Sequence, residues 1–557
     1  MKDGEVLQGY NGDKPAGMPN GQCRLHSFDC RTRAIGKLSS PSGTVISGTV
    51  NLGAAMSALD RSSRYLPCSL GLALLLSATL TATERAAADS TISVGGITFV
   101  NKGLVSVGRI AADLRDKFGE TFGSGSGLAA DPKSWSRAAD GYHGTVYMLP
   151  DRGYNISGTL DYHARLNKLT FVLKPDADLS NMPADAQQHT LALTLADTML
   201  LTDTAGVPFS GLDPTIDGIR PAADGFPAMP QASTGGISLD AEGVVLMDDG
   251  TFFISDEYGP YIYHFTAAGR LLSAIRPPEA FIPKRNGKDS FSSNNPGPGA
   301  VAAVPPDPET GRQNNQGFEG LALTPDGKYL VAVLQSATRQ DGGDATETRQ
   351  NTRLLYYDIT DRDHAKLIHE HVVPLPVFTN AAGKRRVAAQ SELLALDATH
   401  FLLICRDTGN GYGLEGATSV YRRIELLDIS NATDIAGSKY DGTEPVAPKG
   451  KLVDGIVPAT LTSFIDINDN AQLNKFGLHN GEPNDRNDLY EKWEGMALFP
   501  ALDAANPHDF FLFVSDDNDF ITQNGYEAGA AYKDPSGADV DTMILVYRVT
   551  LPDVPAK

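Results

Sequence analysis

The sequence predicts an all-β fold, a β-propeller of four-stranded blades. Three observations predict it. Short β-branched and aromatic runs alternate with Gly, Asp, Asn and Pro turns, and long amphipathic helices are scarce. A unit of about four such runs recurs along the chain. The 557 residues, with 56 Gly, 34 Pro and 41% hydrophobic content, suit one large turn-rich globular architecture.

The copies follow in order. A weaker first copy begins SGLAADP at Ser126 and continues GTVYMLPDRG, KLTFVLKP and TLALTLADTML. The second begins EGVVLMDDG at Glu242, then TFFISDEYG, YIYHFTAAG and RLLSAIRPP. The third begins EGLALTPDG at Glu319, then YLVAVLQSA, TRLLYYDIT and KLIHEHVVPLP. The fourth begins ELLALDATH at Glu392, then FLLICRDTG and YRRIELLDIS. The fifth begins EGMALFP at Glu494, then FFLFVSDDND and TMILVYRVT. MDDG and TPDG are turn chemistry between the first and second strands of a blade. Such units are blades of a propeller. The fifth copy lacks an outer strand, and GITFVNKGLVSVGRI (Gly96–Ile110) is expected to supply it and close the ring. Five blades are counted. The starts lie 116, 77, 73 and 102 residues apart, so the long intervals hold insertions, at 277–315 and 465–491, or a sixth blade. A pair of β-sandwiches is the alternative architecture.

Residues 1–88 read as lying outside this fold. Arg61 and Arg64 precede the apolar run Leu66–Leu80, and Ala86-Ala87-Ala88 offers a small-residue cleavage site before Asp89. That is the pattern of a secretory signal peptide. The run is shorter than the about 20 residues a membrane span needs. Met56 stands five residues before Arg61, so residues 1–55 read as a mispredicted extension, 56–88 as the signal peptide and 89–557 as the propeller. Export to a bacterial periplasm or exterior is expected, with no membrane span in the mature chain. Of the four cysteines only Cys405 lies beyond the leader, in the strand-like run FLLIC, and a buried inert thiol is expected there. No internal disulfide is then available, and a bound metal is one substitute.

The formal net charge is −21. Residues 1–88 remove nine basic and six acidic residues from totals of 47 and 68, leaving −24. A nucleic-acid partner wants a basic stripe and is excluded as the default. An anionic substrate needs a metal or a local arginine cluster to approach such a surface.

The repeats carry a ring of acids. The first strand of each blade lines the channel, so equivalent positions encircle the axis. Here the set is Glu242, Glu319, Glu392 and Glu494, with Ser126 in the weak copy. A second set falls where strand two ends: Asp151, Asp256, Glu257, Asp407, Asp516 and Asp517. Arg152 and Arg406 stand in it as counter-charges. Converging carboxylates raise one another's pKa values and persist more readily around a cation. An all-oxygen set suits a hard cation, Ca²⁺ before Mg²⁺. Backbone capping by the same acids is the plainer reading.

Other motifs carry less. DINDN (Asp466–Asn470) lacks the Gly and Glu of a calcium loop, at Ala471 and Gly477, and reads as a polar loop. His369 and His371 fall on an outer strand. GSGSG at 123–127 places Gly125 where a nucleophile elbow needs Ser, and no H-E-x-x-H or P-loop motif is present.

EGVVLMDDGTFFISDEYGPYIYHF (Glu242–Phe265), NQGFEGLALTPDGKYLVAVLQS (Asn315–Ser336), SELLALDATHFLLICRDTG (Ser391–Gly409) and KWEGMALFP followed by FLFVSDDNDF (Phe511–Phe520) resemble the secreted, mostly bacterial family described as "esterase-like activity of phytase". The likeness spans roughly residues 97–550. The first blade departs from it, with GSGLAAD for a GGLSGI-like run, and CRD at 405–407 replaces a glutamate–arginine pair. The resemblance implies phosphate-ester or carboxylic-ester hydrolysis. By fold-level analogy, β-propeller phytases use channel-mouth calcium ions to hold substrate and activate water.

Together these readings give a secreted metal-dependent ester hydrolase, phosphoesterase first, acting on a small anionic ester. Glu242, Glu319, Glu392, Glu494, Asp256, Glu257 and Asp516 are the candidate Ca²⁺ ligands, and Arg152, Arg406 and Asp407 the candidate catalytic residues. The alternative is a non-catalytic, calcium-stabilised propeller that binds a partner at the cell envelope.

Overall fold

Five largely buried sequence runs form the innermost strands: Gly127–Ala130, Ala241–Leu246, Phe318–Leu323, Ala389–Ala395 and Lys492–Pro500. The computed structural model describes residues 89–409, 411–552 and 554. Each inner strand opens an antiparallel sheet, and the five sheets are the blades of a five-bladed β-propeller. The inner strands pack in the closed order one, two, three, four, five, one. Residues 277–315 hold loops and a two-stranded ribbon, Lys284–Arg285 with Lys288–Asp289, and 465–491 a single helical turn, Asn470–Leu473. Neither is a sixth blade.

The ring closes as the sequence predicts. Ile97–Ile110 pairs antiparallel with Thr542–Thr550, the third strand of blade five, setting Val107 opposite Leu545 and Ile110 opposite Thr542. A further strand, Ser90–Val94, folds back on Ile97–Ile110 through Gly95-Gly96, both at positive φ. The alternation of STISV and its Gly-Gly turn is the signal for this outermost strand. Blade four gains its outer strand, Thr460–Asp466, only after an excursion of about thirty residues from Asp428.

The core is five interblade layers rather than one centre. Leu402 and Ile404 of blade four pack with Leu512 and Val514 of blade five. Phe171 and Leu169 of blade one meet Phe511 and Phe513 of blade five. Equivalent layers join blades one and two, two and three, and three and four. Burying each such side chain contributes about 1.5–3 kcal/mol, so the blades are held mainly by these seams. Cys405 is buried in the seam between blades three and four, and burial pushes its thiol pKa up. Among the described residues no helix is long and apolar enough to cross a membrane. The signal peptide and the extension, 1–88, lie outside the described residues.

Four of the five inner strands share one irregularity that matters for the site. In blade three, Phe318 pairs with Leu334 but Gly320 with Val333, so Glu319 is bulged out of register. In blade five the bulged residue is Glu494, and in blade two the bulge falls at Glu242-Gly243. A bulge turns a side chain off the ladder and aims it elsewhere. The following glycine allows the close approach of the next blade: a Cβ on Gly243 would lie 2.8 Å from the Leu321 nitrogen, and one on Gly320 2.9 Å from the Leu393 nitrogen.

Candidate functional site

That packing sets the true equivalence of the blades. Leu321 meets Gly243 as Leu393 meets Gly320, so Ser391, not Glu392, stands in blade four where Glu319 stands in blade three. The register agrees: Gln390 pairs with Cys405 and Glu392 with Ile404, leaving Ser391 in the bulge. The equivalent set is therefore Glu242, Glu319, Ser391 and Glu494, each at a bulge, with Ser126 just before the unbulged first strand. Two residues earlier come Ser124, Asp240, Gly317, Ala389 and Lys492. Opposite these, at the end of strand two, lie Asp151, Glu257, Gln335, Arg406 and Asp517. These three tiers meet where the inner strands begin, at one end of the central channel.

Ion pairs stitch the blades together there. Arg152 Nη1 donates to Asp240 Oδ2 at 2.7 Å and also to Asn315 Oδ1, with the guanidinium 6.0 Å from the Tyr258 ring centre. Arg406 Nη2 donates to Glu494 Oε1. Lys492 Nζ reaches Asp519 Oδ1 at 2.5 Å and Asp517 Oδ2 at 3.2 Å. Gln335 Nε2 donates to Glu319 Oε1, and Ser126 Oγ to Asp517 Oδ2 at 3.2 Å. Among the described residues, Asp240 Oδ1, Glu257 Oε1, Glu319 Oε2 and, just behind them, Asp516 Oδ2 are buried with no N–H or hydroxyl donor, and Asp240 and Glu257 hydrogen-bond each other.

The electrostatics follow from this crowding. Burial, then Glu319, Asp240 and Glu494, pushes the Glu242 pKa well above the carboxylate range. Burial, then Glu257 and Glu494, does the same to Glu319. Asp240 is pushed up to about 8 by burial and Glu257, against the pull of Arg152. Glu494 is pushed up to about 8 by burial and Asp517, against Arg406 and Lys492. Burial opposes the charge of Asp517 as well, but Lys492, the Asp519 N–H and a hydrogen bond from Glu494 hold its pKa below the ordinary value. Each buried carboxylate here therefore needs a proton or a cation.

The residues expected from sequence divide. Glu242, Glu257, Glu319, Glu494, Arg152 and Arg406 come together at this end. Four others do not face it. Asp256 accepts the N–H groups of Tyr258 and Gly259, each at 2.9 Å, and caps its own turn. Asp516, at the equivalent register, accepts the Met543 N–H at 2.6 Å. Asp407 accepts from Ser419 Oγ at 2.6 Å and the Val420 N–H at 2.8 Å, ordering the loop after strand two of blade four. Glu392 accepts the Leu393 and Leu321 N–H groups and lines a channel cavity of about 560 Å³ with Leu128, Val244, Leu321 and Met496. Successive side chains on a strand point to opposite faces, so Asp256 and Asp516 turn away from Glu257 and Asp517, Asp407 turns away from Arg406, and Glu392 lies one place past the bulge at Ser391. Asp240, Lys492, Gln335 and Asn315 are site residues that the sequence reading passed over.

The weaker motifs are structural. Asp469 of DINDN caps the turn Asn470–Leu473 through the Ala471 N–H at 2.8 Å. His369 pairs with Asp434 on the outer strand Lys366–Pro374. His371 is buried on that strand, against the Thr433 carbonyl at 3.1 Å.

The donor chemistry suits a hard divalent cation. Oxygens of Asp240, Glu242 and Glu257 lie within 4.8 Å of one another, as do oxygens of Asp151, Asp517 and Asp519. All are carboxylate oxygens, the donor type that fits a hard cation such as Ca²⁺. Arginines beside such a group can orient an anionic ester.

Residues 120–519 match the Phytase-like family, described as "Esterase-like activity of phytase". That span holds all three tiers. An "Uncharacterized secreted protein" of the fungus Arthroderma benhamiae is 41% identical over 463 residues, covering 77% of this chain and 89% of that one. Among solved structures, Kuenenia stuttgartiensis hydrazine synthase is 10% identical over 72% of this chain and 78% of that chain, with a TM-score of 0.26. A luciferin-regenerating enzyme is 11% identical over 80% and 94%, with a TM-score of 0.25. Likenesses of that size carry no functional argument. The family match over most of the chain decides the family: this chain belongs to the Phytase-like family, "Esterase-like activity of phytase".

Proposed function

We propose that this protein is an exported ester hydrolase that acts on small anionic esters, phosphate esters first, with a hard divalent cation at the channel mouth, Ca²⁺ ahead of Mg²⁺. One observation carries the reading: buried carboxylate oxygens without an N–H or hydroxyl donor stand beside two arginines that are already held in place. Asp240, Glu242 and Glu257 would hold the cation. When bound, it supplies positive charge that screens the ester and lowers the pKa of water. Arg152, fixed by Asp240 and Asn315, and Arg406, fixed by Glu494, orient the phosphate or carboxylate of the substrate. Glu319 is the general base. In the ionised form of Glu319, Gln335 fixes Oε1 and Oε2 is left to take a proton from water.

The family's description supports ester hydrolysis, and export draws on the secreted fungal relative and on the leader pattern of 56–88. That relative is not bacterial, so the bacterial periplasm is left out of the proposal. A second reading has its own support. The acids and arginines of the mouth are all buried and both arginines are already paired, which also suits a non-catalytic propeller braced by calcium.

The test is hydrolysis of p-nitrophenyl phosphate and p-nitrophenyl acetate by the wild type and Glu319→Gln. The hydrolase reading expects turnover to fall about 100-fold or more with the melting temperature kept. Unchanged turnover in Glu319→Gln removes Glu319 as the base. A calcium-dependent melting shift with no turnover in either protein selects the braced, non-catalytic propeller.

A further inference from the structure

One position of the inner strands breaks the repeat. The residue that follows the equivalent set is Gly127, Gly243, Gly320, Glu392 and Gly495, glycine in four blades and glutamate in blade four. Close packing requires the glycines: a Cβ on Gly127 would lie 2.2 Å from the Glu242 carbonyl oxygen, and one on Gly495 2.3 Å from Ser515 Oγ. Glu392 therefore carries the only side chain of this tier, and it lines the channel cavity of about 560 Å³, a volume in the range of small-molecule sites. Its Oε1 accepts the Leu393 N–H at 2.6 Å and the Leu321 N–H of the neighbouring blade at 3.4 Å. Among the described residues no donor reaches its Oε2, although the residue is only 2% exposed.

The side chains below it are apolar. Leu128, Val244, Leu321, Leu393 and Met496 give one ring of the cavity wall, a residue from each blade. Two places further along the strands, Ala130, Leu246, Leu323, Ala395 and Leu498 give a second, half-buried ring. The cavity then runs to the turns after the inner strands, at Asp131, Asp248 and Asp326, away from the mouth. The basic side chains of its lining, Lys133 and Arg362, stand at that rim and are engaged: Lys133 Nζ donates to the Asp248 carbonyl at 2.6 Å and Arg362 pairs with Asp249. The deep end thus holds one acid, with Glu242, Glu319 and Glu494 a residue nearer the mouth, and no cation. An anionic head group would meet only acids there, and a wholly apolar ligand would leave Oε2 without a donor. An ammonium would meet a carboxylate whose other oxygen is already steadied by two N–H groups.

We propose that this half of the channel is a second ligand site, which takes an aliphatic primary amine with its ammonium on Glu392 Oε2 and its apolar body between the two rings. From Glu392 to Ala395 the strand rises about 10 Å, the reach of an alkyl chain of about eight carbons. The site opens away from the acids and arginines of the mouth, so it stands apart from the hydrolase reading.

Titration calorimetry of the full chain with n-octylammonium, 1-octanol and octanoate tests this. The wild type is expected to bind one octylammonium per chain, to bind 1-octanol about tenfold more weakly or less, and not to bind octanoate. Glu392→Gln should lose the preference, with octylammonium weakened about tenfold or more. Ala395→Phe, which fills the second ring, should block both ligands and keeps the test open should Glu392→Gln not fold. No saturable octylammonium binding, octanol or octanoate bound as tightly as the amine, or unchanged amine binding in either variant overturns the proposal.

Discussion

Arg152 of the first blade donates through Nη1 to Asp240 Oδ2 of the second at 2.7 Å, with both side chains almost wholly buried. The pair ties two blades together at the channel mouth and fixes one oxygen of Asp240, whose carboxyl also hydrogen-bonds Glu257. Removing one partner of a buried pair strands the other. Arg152→Ala is therefore expected to destabilise the fold by about 3–5 kcal/mol, read by denaturant unfolding in the absence of calcium. A loss of under about 1 kcal/mol would place the pair among surface-like contacts.

Calcium binding should be proton-linked. Burial and Glu257 push Asp240 up to about 8, and Glu242 lies well above its usual range through burial and Glu319. Below about pH 8 the metal-free group holds protons that calcium must displace, so affinity is expected to rise with pH up to at least about 8. Calorimetry in buffers of different ionisation enthalpy should also show proton release. A flat affinity across that range would mean the acids are ionised without the metal.

Glu527 offers a pH test away from the cation ligands. Its Oε2 accepts the Tyr154 N–H at 2.9 Å, and burial pushes its pKa up to about 8. Unfolded, it titrates near about 4.3. A folded pKa above the unfolded one means that the native state binds the proton more tightly. The contribution is full below about pH 4.3 and is lost as pH rises through about 8. Glu527→Gln is expected to flatten the stability profile over that window and to melt higher than the wild type at about pH 9. An unchanged slope would show that other groups carry it.

Gly317 lets blade three lie against the Glu257 backbone. A Cβ there would sit 2.3 Å from the Glu257 carbonyl oxygen and 2.5 Å from its Cα, atoms that cannot move aside cheaply. Gly317→Ala is expected to lower the melting temperature and to weaken calcium binding by displacing Glu257. Gly442→Ala, whose Cβ would meet nothing nearer than the Lys439 oxygen at 3.5 Å, is the control and should melt as the wild type does. Normal calcium affinity in Gly317→Ala would argue that Glu257 is not a ligand.

The propeller was legible because each blade repeats turn, alternation and length together. The closing strand Ile97–Ile110 could be read from the missing outer strand of the fifth copy. The site was legible only to within a residue. Alignment on EGLAL and ELLAL equates Glu319 with Glu392, but the bulge places Ser391 at that position. The same slip separates Asp256 and Asp516, which bind backbone N–H groups, from Glu257 and Asp517, which face the channel end. Asp240 and Lys492 escape the sequence pattern because the visible repeat begins at the glutamate, two residues downstream of them. Tracing the copies two places upstream would have set Asp240 and Lys492 in one column, where their opposite charges stand out.

The most direct test of the account is hydrolysis of p-nitrophenyl phosphate by the chelator-stripped full chain, with and without added Ca²⁺, followed alongside thermal melting. The account predicts that calcium restores turnover and raises the melting temperature in the wild type, and that Glu242→Gln loses both responses while remaining folded. Turnover that is indifferent to chelator and calcium would contradict it and direct attention to Arg152 and Arg406 acting without a cation.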